Sequence, residues 1–215
     1  MSAEVMSGPD PLDVASFAAT TDVSRETSER LERYADLLLK WNTRVNLGGQ
    51  STLVDLWRRH MLDSAQLFPH LPVSTGRLVD LGSGAGFPGL VLAIMGVPDV
   101  HLIEANTRKC VFLREAARVT ETSVTIHNAR IESCASLKTD IVTARALAPL
   151  SILLKYAKPF LTSKSLCFFL KGVGIEKELT ETRKLWNIKE NIHPSLTNPE
   201  GVIVRLEVLP FESSG

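Results

Sequence analysis

The sequence predicts an α/β protein whose mostly parallel sheet ends in an antiparallel strand and is preceded by a helical extension. Three observations predict it. From Arg77 onward, short apolar runs alternate with helical stretches, the pattern of a parallel sheet covered on both faces. Before Arg77, apolar residues recur only at helical spacing. At the junction stands Leu78-Val79-Asp80-Leu81-Gly82-Ser83-Gly84-Ala85-Gly86-Phe87-Pro88-Gly89, a strand that runs into glycines and then into a helix start.

Residues 1–23 are weakly patterned and broken by Pro9 and Pro11, which leaves room for a frayed end or one short helix. From Ser24, the residues Leu31, Tyr34, Ala35, Leu38, Trp41 and Val45 fall on one helical face, and Gly48-Gly49 marks the stop. Ser51 or Thr52 is placed to cap a second helix with Leu53, Trp57, Met61, Ala65 and Phe68 on one stripe. Pro69 and Pro72 close the extension, so the reading is a helical segment over 1–72 packed on a core over 73–215, as one structural unit. Strands are expected at 77–81, 100–104, 123–127, 140–144, 165–170 and 202–208, with helices near 88–95, 107–119, 149–158 and 174–184. The last strand alternates apolar and polar toward its end, as an edge or antiparallel strand does.

At 215 residues the chain can bury a substantial single core. Its 24 basic and 24 acidic residues cancel, so global charge does not announce a nucleic-acid partner. The distribution is uneven. Residues 1–20 hold Glu4, Asp10 and Asp13 and no Lys or Arg, whereas residues 145–177 hold six basic residues against the single acid Glu176. The three cysteines, Cys110, Cys134 and Cys167, lack metal-site or disulfide-framework spacing, so no metal is expected and a reducing cytoplasm fits. The uncharged run 81–98 contains five glycines and two prolines, which argues against a membrane span.

The glycine turn makes a nucleotide-sized pocket, because glycines remove the Cβ atoms that hold a ligand off the backbone and Pro88 suits the first turn of the next helix. The alternative is a Gly-rich turn that binds nothing. Phe87 stands where a G-x-G-x-x-G dinucleotide fingerprint needs glycine, so that fingerprint fails. The G-x-G-x-G spacing after Asp80 resembles instead the first motif of Rossmann-like S-adenosylmethionine-dependent methyltransferases. In such a site Asp80 is suited to the ammonium of the cofactor tail, and Gly82, Gly84 and Gly86 let the ligand lie close. Glu104 ends the next strand, where an acid can accept both ribose hydroxyls or, alternatively, cap the helix that begins near Asn106. The fourth strand reads Asp140 to Ala148, without the Asn-Pro-Pro-Tyr type of motif that holds an exocyclic amine, and no cysteine is expected at a strand end in the cleft. An acceptor with a lone pair and no proton, such as a purine ring nitrogen, fits that set.

Further motifs sharpen the likeness. Leu39-Lys40-Trp41-Asn42 with Asn46-Leu47, Arg59-His60-Met61-Leu62-Asp63-Ser64, the glycine turn, Arg130-Ile131-Glu132, Ala144-Arg145-Ala146 and Leu170-Lys171-Gly172 follow in an order that resembles the bacterial small-subunit (16S) rRNA guanine-N7 methyltransferases, also called glucose-inhibited division protein B. The resemblance covers residue 30 or so to the C-terminus. It implies S-adenosylmethionine as cofactor and N7 of a guanine in a decoding-region loop of 16S rRNA as acceptor. It implies that Gly82 and Phe87 line the cofactor, that Ile131 and Glu132 flank the adenine, and that Arg145 reaches the cofactor or the reaction centre. It further implies a cytoplasmic enzyme, expected as a monomer off the membrane, acting on 16S rRNA or a small-subunit precursor. Arg145 also has its own case, since ligands of open parallel sheets collect past the strand ends; the alternative is a surface ion pair. Arg59, His60, Arg130 and Lys171 are the candidate RNA contacts. His60 reads as structural or phosphate-binding and not as a base, because N7 carries no proton. Lys171 reads as a phosphate contact or a snorkelling surface lysine, and Trp41 and Trp57 read as core. A small-molecule methyltransferase and a non-catalytic cofactor-binding module are the rival readings.

Overall fold

The computed structural model describes residues 11–134 and 137–209; Glu4, Pro9 and Asp10 lie outside the described residues. The extension begins with α1 (Val14–Thr21), capped by Asp13, whose carboxylate accepts from Ser16 N. Helix α2 (Arg25–Asn42) is capped by Ser24, and Leu31, Tyr34, Ala35 and Leu38 form its buried stripe. It stops at Asn42, six residues before the glycine pair, because the Asn42 Oδ1 accepts from Leu47 N and Gly48 N and folds the chain back.

The expected single helix after Gly49 is four short pieces: α3 (Gln50–Leu53), a π-helical turn (Trp57–Leu62), α4 (Asp63–Ala65) and a 3₁₀ turn (Phe68–His70). Gly49, not Ser51 or Thr52, occupies the cap position. The π turn has a physical reason. His60, Met61 and Leu62 are all buried, and three successive inward residues do not fit one 3.6-residue stripe.

The core alternates β1 (Arg77–Leu81), α5 (Gly89–Ile94), β2 (Asp99–Glu104), α6 (Thr107–Val119), β3 (Thr125–Asn128), β4 (Ile141–Arg145), α7 (Leu150–Ala157), β5 (Leu166–Lys171), α8 (Ile175–Arg183), β6 (Ile188–Pro194) and β7 (Val202–Val208). The strand order is β3-β2-β1-β4-β5-β7-β6. Strand β7 is antiparallel to both neighbours but is not an edge, because β6 covers it from Ile188 opposite Val208 to Pro194 opposite Val202. The sequence reading missed β6, a half-solvated edge strand that carries Lys189, Glu190 and Asn191 among its apolar residues and ends in proline.

Two apolar clusters sandwich the sheet. One joins Phe17, Leu31, Tyr34 and Met61 of the extension to Leu78, Leu102, Phe112 and Phe168, and the other joins Val79, Ile103, Val142 and Phe169 to Leu154 of α7 and Leu179 of α8. Trp41 packs edge-on against Phe112 and Trp57 against Phe17, so both tryptophans serve the core. Among the described residues, no helix is long and apolar enough to cross a membrane.

Candidate active site

The buried strand β1 delivers the chain to a turn in which Gly82, Gly84 and Gly86 all have positive φ, which L side chains rarely adopt. The glycines differ in purpose. A Cβ at Gly86 would lie 2.8 Å from the Tyr34 hydroxyl and 2.9 Å from Leu90 Cβ, so this glycine permits packing. A Cβ at Gly84 would meet nothing closer than the Gly82 carbonyl at 3.9 Å, so here the missing side chain leaves an open cradle that fits a nucleoside cofactor. Tyr34 reaches from α2 and donates a hydrogen bond to the Ala85 carbonyl, while its ring lies 5.4 Å from that of Phe87. Burial pushes the Tyr34 pKa well above its ordinary value and keeps the hydroxyl a donor.

Asp80 is fully buried beneath this turn, not open to the cleft where a ligand's ammonium would lie. Its Oδ1 accepts from Thr143 Oγ1 at 2.8 Å, and its Oδ2 lies under Gly89 at the start of α5. Burial pushes its pKa up to about 6, against the downward pull of the Thr143 and Ser83 hydroxyls and the Gly89 N–H. Glu104 braces the glycine turn and the residue that caps α6, Asn106, whose own side chain accepts from Arg108 N and Lys109 N. Its Oε2 accepts from Gly84 N at 2.9 Å and its Oε1 from Asn106 N at 2.7 Å, so one carboxylate holds both, with lone pairs left for ribose hydroxyls.

Ile131 and Glu132 lie in a 3₁₀ turn just past β3, whose end pairs Asn128 with Glu104. Ile131 packs on the second cluster and Glu132 is exposed. Arg130 is exposed at the opening of the same turn.

Arg145, at the end of β4, is held by the extension. Its NH1 donates to the Arg59 carbonyl at 3.0 Å and to Asp63 Oδ2 at 3.2 Å, and its guanidinium stands 5.0 Å over the Phe87 ring. Its NH2 lies 2.7 Å from His60 Nδ1. A guanidinium only donates, so Nδ1 accepts and the proton sits on Nε2, which donates to Thr52 Oγ1 at 2.9 Å. Thr52 in turn donates to the Gly49 carbonyl. Burial, with Arg145 and Arg59 beside it, pushes the His60 pKa down to about 3. His60 is thus a neutral strut with both nitrogens engaged, which removes it from the phosphate-contact candidates and leaves its structural reading.

Arg59 is exposed, as a phosphate contact requires. Lys171 does not snorkel: its ammonium pairs with Glu178 Oε2 at 2.8 Å and donates to the Ala148 carbonyl, with the side chain only 12% exposed, so it is held inside the protein and not on the outer surface where a phosphate backbone would run. All three cysteines are buried, Cys110 donating from Sγ to the Glu104 carbonyl at 3.2 Å, and burial pushes the Cys167 thiol up to about 12. The structure adds Tyr34, Asp63, Thr143 and the loop between β6 and β7. Tyr34 was visible in the apolar stripe of α2 and Asp63 within the motif 59–64, yet nothing in the sequence reports their partners.

The chain matches the model of the family described as rRNA small subunit methyltransferase G over residues 27–202. It is similar to proteins of that name from Paramagnetospirillum magneticum, 63% identical over 86% of this chain and 90% of that protein, and from Rhodospirillum rubrum, 53% identical over 88% and 94%. Among solved structures it resembles a ribosomal protein L11 methylase from Lactobacillus delbrueckii, with TM-score 0.57 and 14% identity over 75% of this chain and 80% of that one. It also resembles a TehB-like SAM-dependent methyltransferase from Corynebacterium glutamicum, with TM-score 0.56 and 12% identity over 82% and 98%. At such identities the likeness shows the shared fold.

Proposed function

The chain belongs to the rRNA small subunit methyltransferase G family, and from that premise we propose that it methylates N7 of a guanine in a decoding-region loop of 16S rRNA, using S-adenosylmethionine. The substrate in this reading is 16S rRNA or a small-subunit precursor, met in the bacterial cytoplasm by a monomer. Gly82, Gly84, Gly86, Phe87, Glu104, Ile131 and Glu132 hold the cofactor. When bound, S-adenosylmethionine supplies an electrophilic methyl group.

One observation carries the N7 assignment: the imidazole nearest the glycine turn is neutral and bonded at both nitrogens, to Arg145 and to Thr52. N7 of guanine offers a lone pair and no proton, so its direct in-line attack on the methyl group needs no base and no covalent enzyme intermediate. The protein's work is then alignment, a source that reaches roughly 7–11 kcal/mol in well-oriented systems. Arg145 is central to it, because its guanidinium ties the Phe87 side of the turn to the extension. Bases in A-form RNA are hidden in a deep, narrow groove, so the guanine must come from a loop, and exposed Arg59 is suited to the adjoining phosphate.

The test is labelled methyl transfer by the purified protein to small subunits lacking the modification, in competition with free guanosine. Label at guanine N7 of the subunit RNA supports the reading. Label on the free nucleoside alone, or tight cofactor binding without transfer, would replace it with one of its rivals.

A further inference from the structure

Next to Arg145 lies a cavity of about 430 Å³ that none of the residues proposed to hold the cofactor lines. Its volume falls in the roughly 300–1,000 Å³ range of small-molecule sites. The ends of β4 and β5, the π turn and the β6–β7 loop wall it. Arg145 belongs both to this wall and to the stack on Phe87, so the cavity adjoins the glycine turn.

The cavity is rigidly built. Asp63, which accepts from Arg145 on Oδ2, accepts on Oδ1 from Thr197 Oγ1 of the β6–β7 loop at 2.7 Å. Gln66 Oε1 accepts from Leu196 N at 2.8 Å, so the loop is fixed relative to Arg145 from two points. Against the same space stands the pair of Lys171 and Glu178. Glu178 Oε2 is fully used, taking Leu150 N at 2.6 Å and the Lys171 ammonium at 2.8 Å. Its Oε1 bonds to none of the described residues. Lys171 has three N–H groups and uses two.

A free carboxylate oxygen beside an ammonium N–H complements one base edge closely. Guanine offers N1–H and the 2-amino group as donors and O6 as an acceptor on its Watson–Crick edge, whereas adenine offers an acceptor at N1. As N7 takes the methyl group, positive charge spreads over the purine and N1–H becomes a stronger donor, so a carboxylate there gains hold as the reaction proceeds. We propose that this cavity is the acceptor-base pocket, in which Glu178 and Lys171 read the Watson–Crick edge of the extruded guanine. The proposal rests on the guanine-N7 reading above and adds to it the group that selects the base.

The experiment is a double-mutant cycle with wild-type protein and Glu178→Gln, each acting on small subunits that carry either guanine or inosine, which lacks the 2-amino group, at the acceptor position. Gln keeps an oxygen for Leu150 N and turns an amide N–H₂ toward the base, and cofactor binding by calorimetry checks that the fold survives. Glu178→Asp, which keeps the charge but shortens the reach by one methylene, runs through the same cycle as a second variant. The expected result is a fall of roughly 10–100-fold in kcat/KM on guanine, from a lost charged hydrogen bond, with cofactor Kd within about twofold of wild type. The inosine penalty should be large in wild type and largely absent in both variants. Equal inosine penalties in wild type and variants, or wild-type rates in both variants, would overturn the pocket assignment while leaving N7 transfer standing. Failure of the wild-type protein to methylate N7 at all would instead remove the underlying reading.

Discussion

Gly84 and Gly89 stand in one connection yet should respond differently to a single added methyl group. Gly84→Ala meets open space, so it costs only the roughly 1–2 kcal/mol of a left-handed backbone while filling the cradle. It should fold and lose cofactor affinity by tenfold or more in calorimetry. At Gly89 a Cβ would come within 2.5 Å of Leu102 Cδ2 and 2.7 Å of Asp80 Cβ, so Gly89→Ala should lower the melting temperature sharply. His60 gives a pH signature. Its folded pKa of about 3 lies below the ordinary 6.5, so the neutral imidazole contributes stability above pH 6.5 that is lost as pH falls toward 3, by up to about 1.4 kcal/mol per pH unit. Denaturation of wild type and His60→Gln at pH 7 and pH 5 should show their stability difference shrinking at the lower pH. A constant difference would mean that the imidazole is not held neutral.

Elements with a regular apolar period were legible in the sequence. Helix α2 shows its 3.6-residue stripe, and β1, β2, β4 and β5 show dense apolar runs because both of their faces are covered. Elements that break the period were not. The segment 50–70 carries three successive buried residues through a π turn, and β6 is a half-solvated edge whose composition reads as loop. The stop of α2 was also missed, because an Asn42 side chain sets it and not a glycine. At this scale the link from α2 to the glycine turn is one hydroxyl. Tyr34→Phe leaves the buried Ala85 carbonyl without its donor, so it should cost about 1–3 kcal/mol in denaturation experiments and weaken cofactor binding. Unchanged affinity would show that the extension does not support the turn.

Over the whole molecule, the site assembles from distant parts of the chain. Arg145 meets Asp63 across 82 positions, and Thr197 meets the same carboxylate across 134. The glycine turn and Glu104 were readable because a strand and its following turn are local in sequence, and their spacing carries the chemistry. The partners of Arg145, the engagement of His60 and the pairing of Lys171 were not, because each depends on which elements the sheet order β3-β2-β1-β4-β5-β7-β6 brings together. The extension therefore does more than cover a sheet face: its Asp63, His60 and Arg59 backbone fix the guanidinium beside the turn. With a formal net charge of +0, the molecule has no global attraction for RNA, so its grip has to be local and shaped by the ribosomal surface. The most direct measurement maps N7-methylguanine in 16S rRNA from cells lacking this gene, complemented with the wild-type chain or with Arg145→Ala. The account predicts that one N7-methylguanine in a decoding-region loop is lost, returns with the wild-type chain and stays absent with Arg145→Ala. Persistence of every N7-methylguanine in the cells lacking the gene would contradict it.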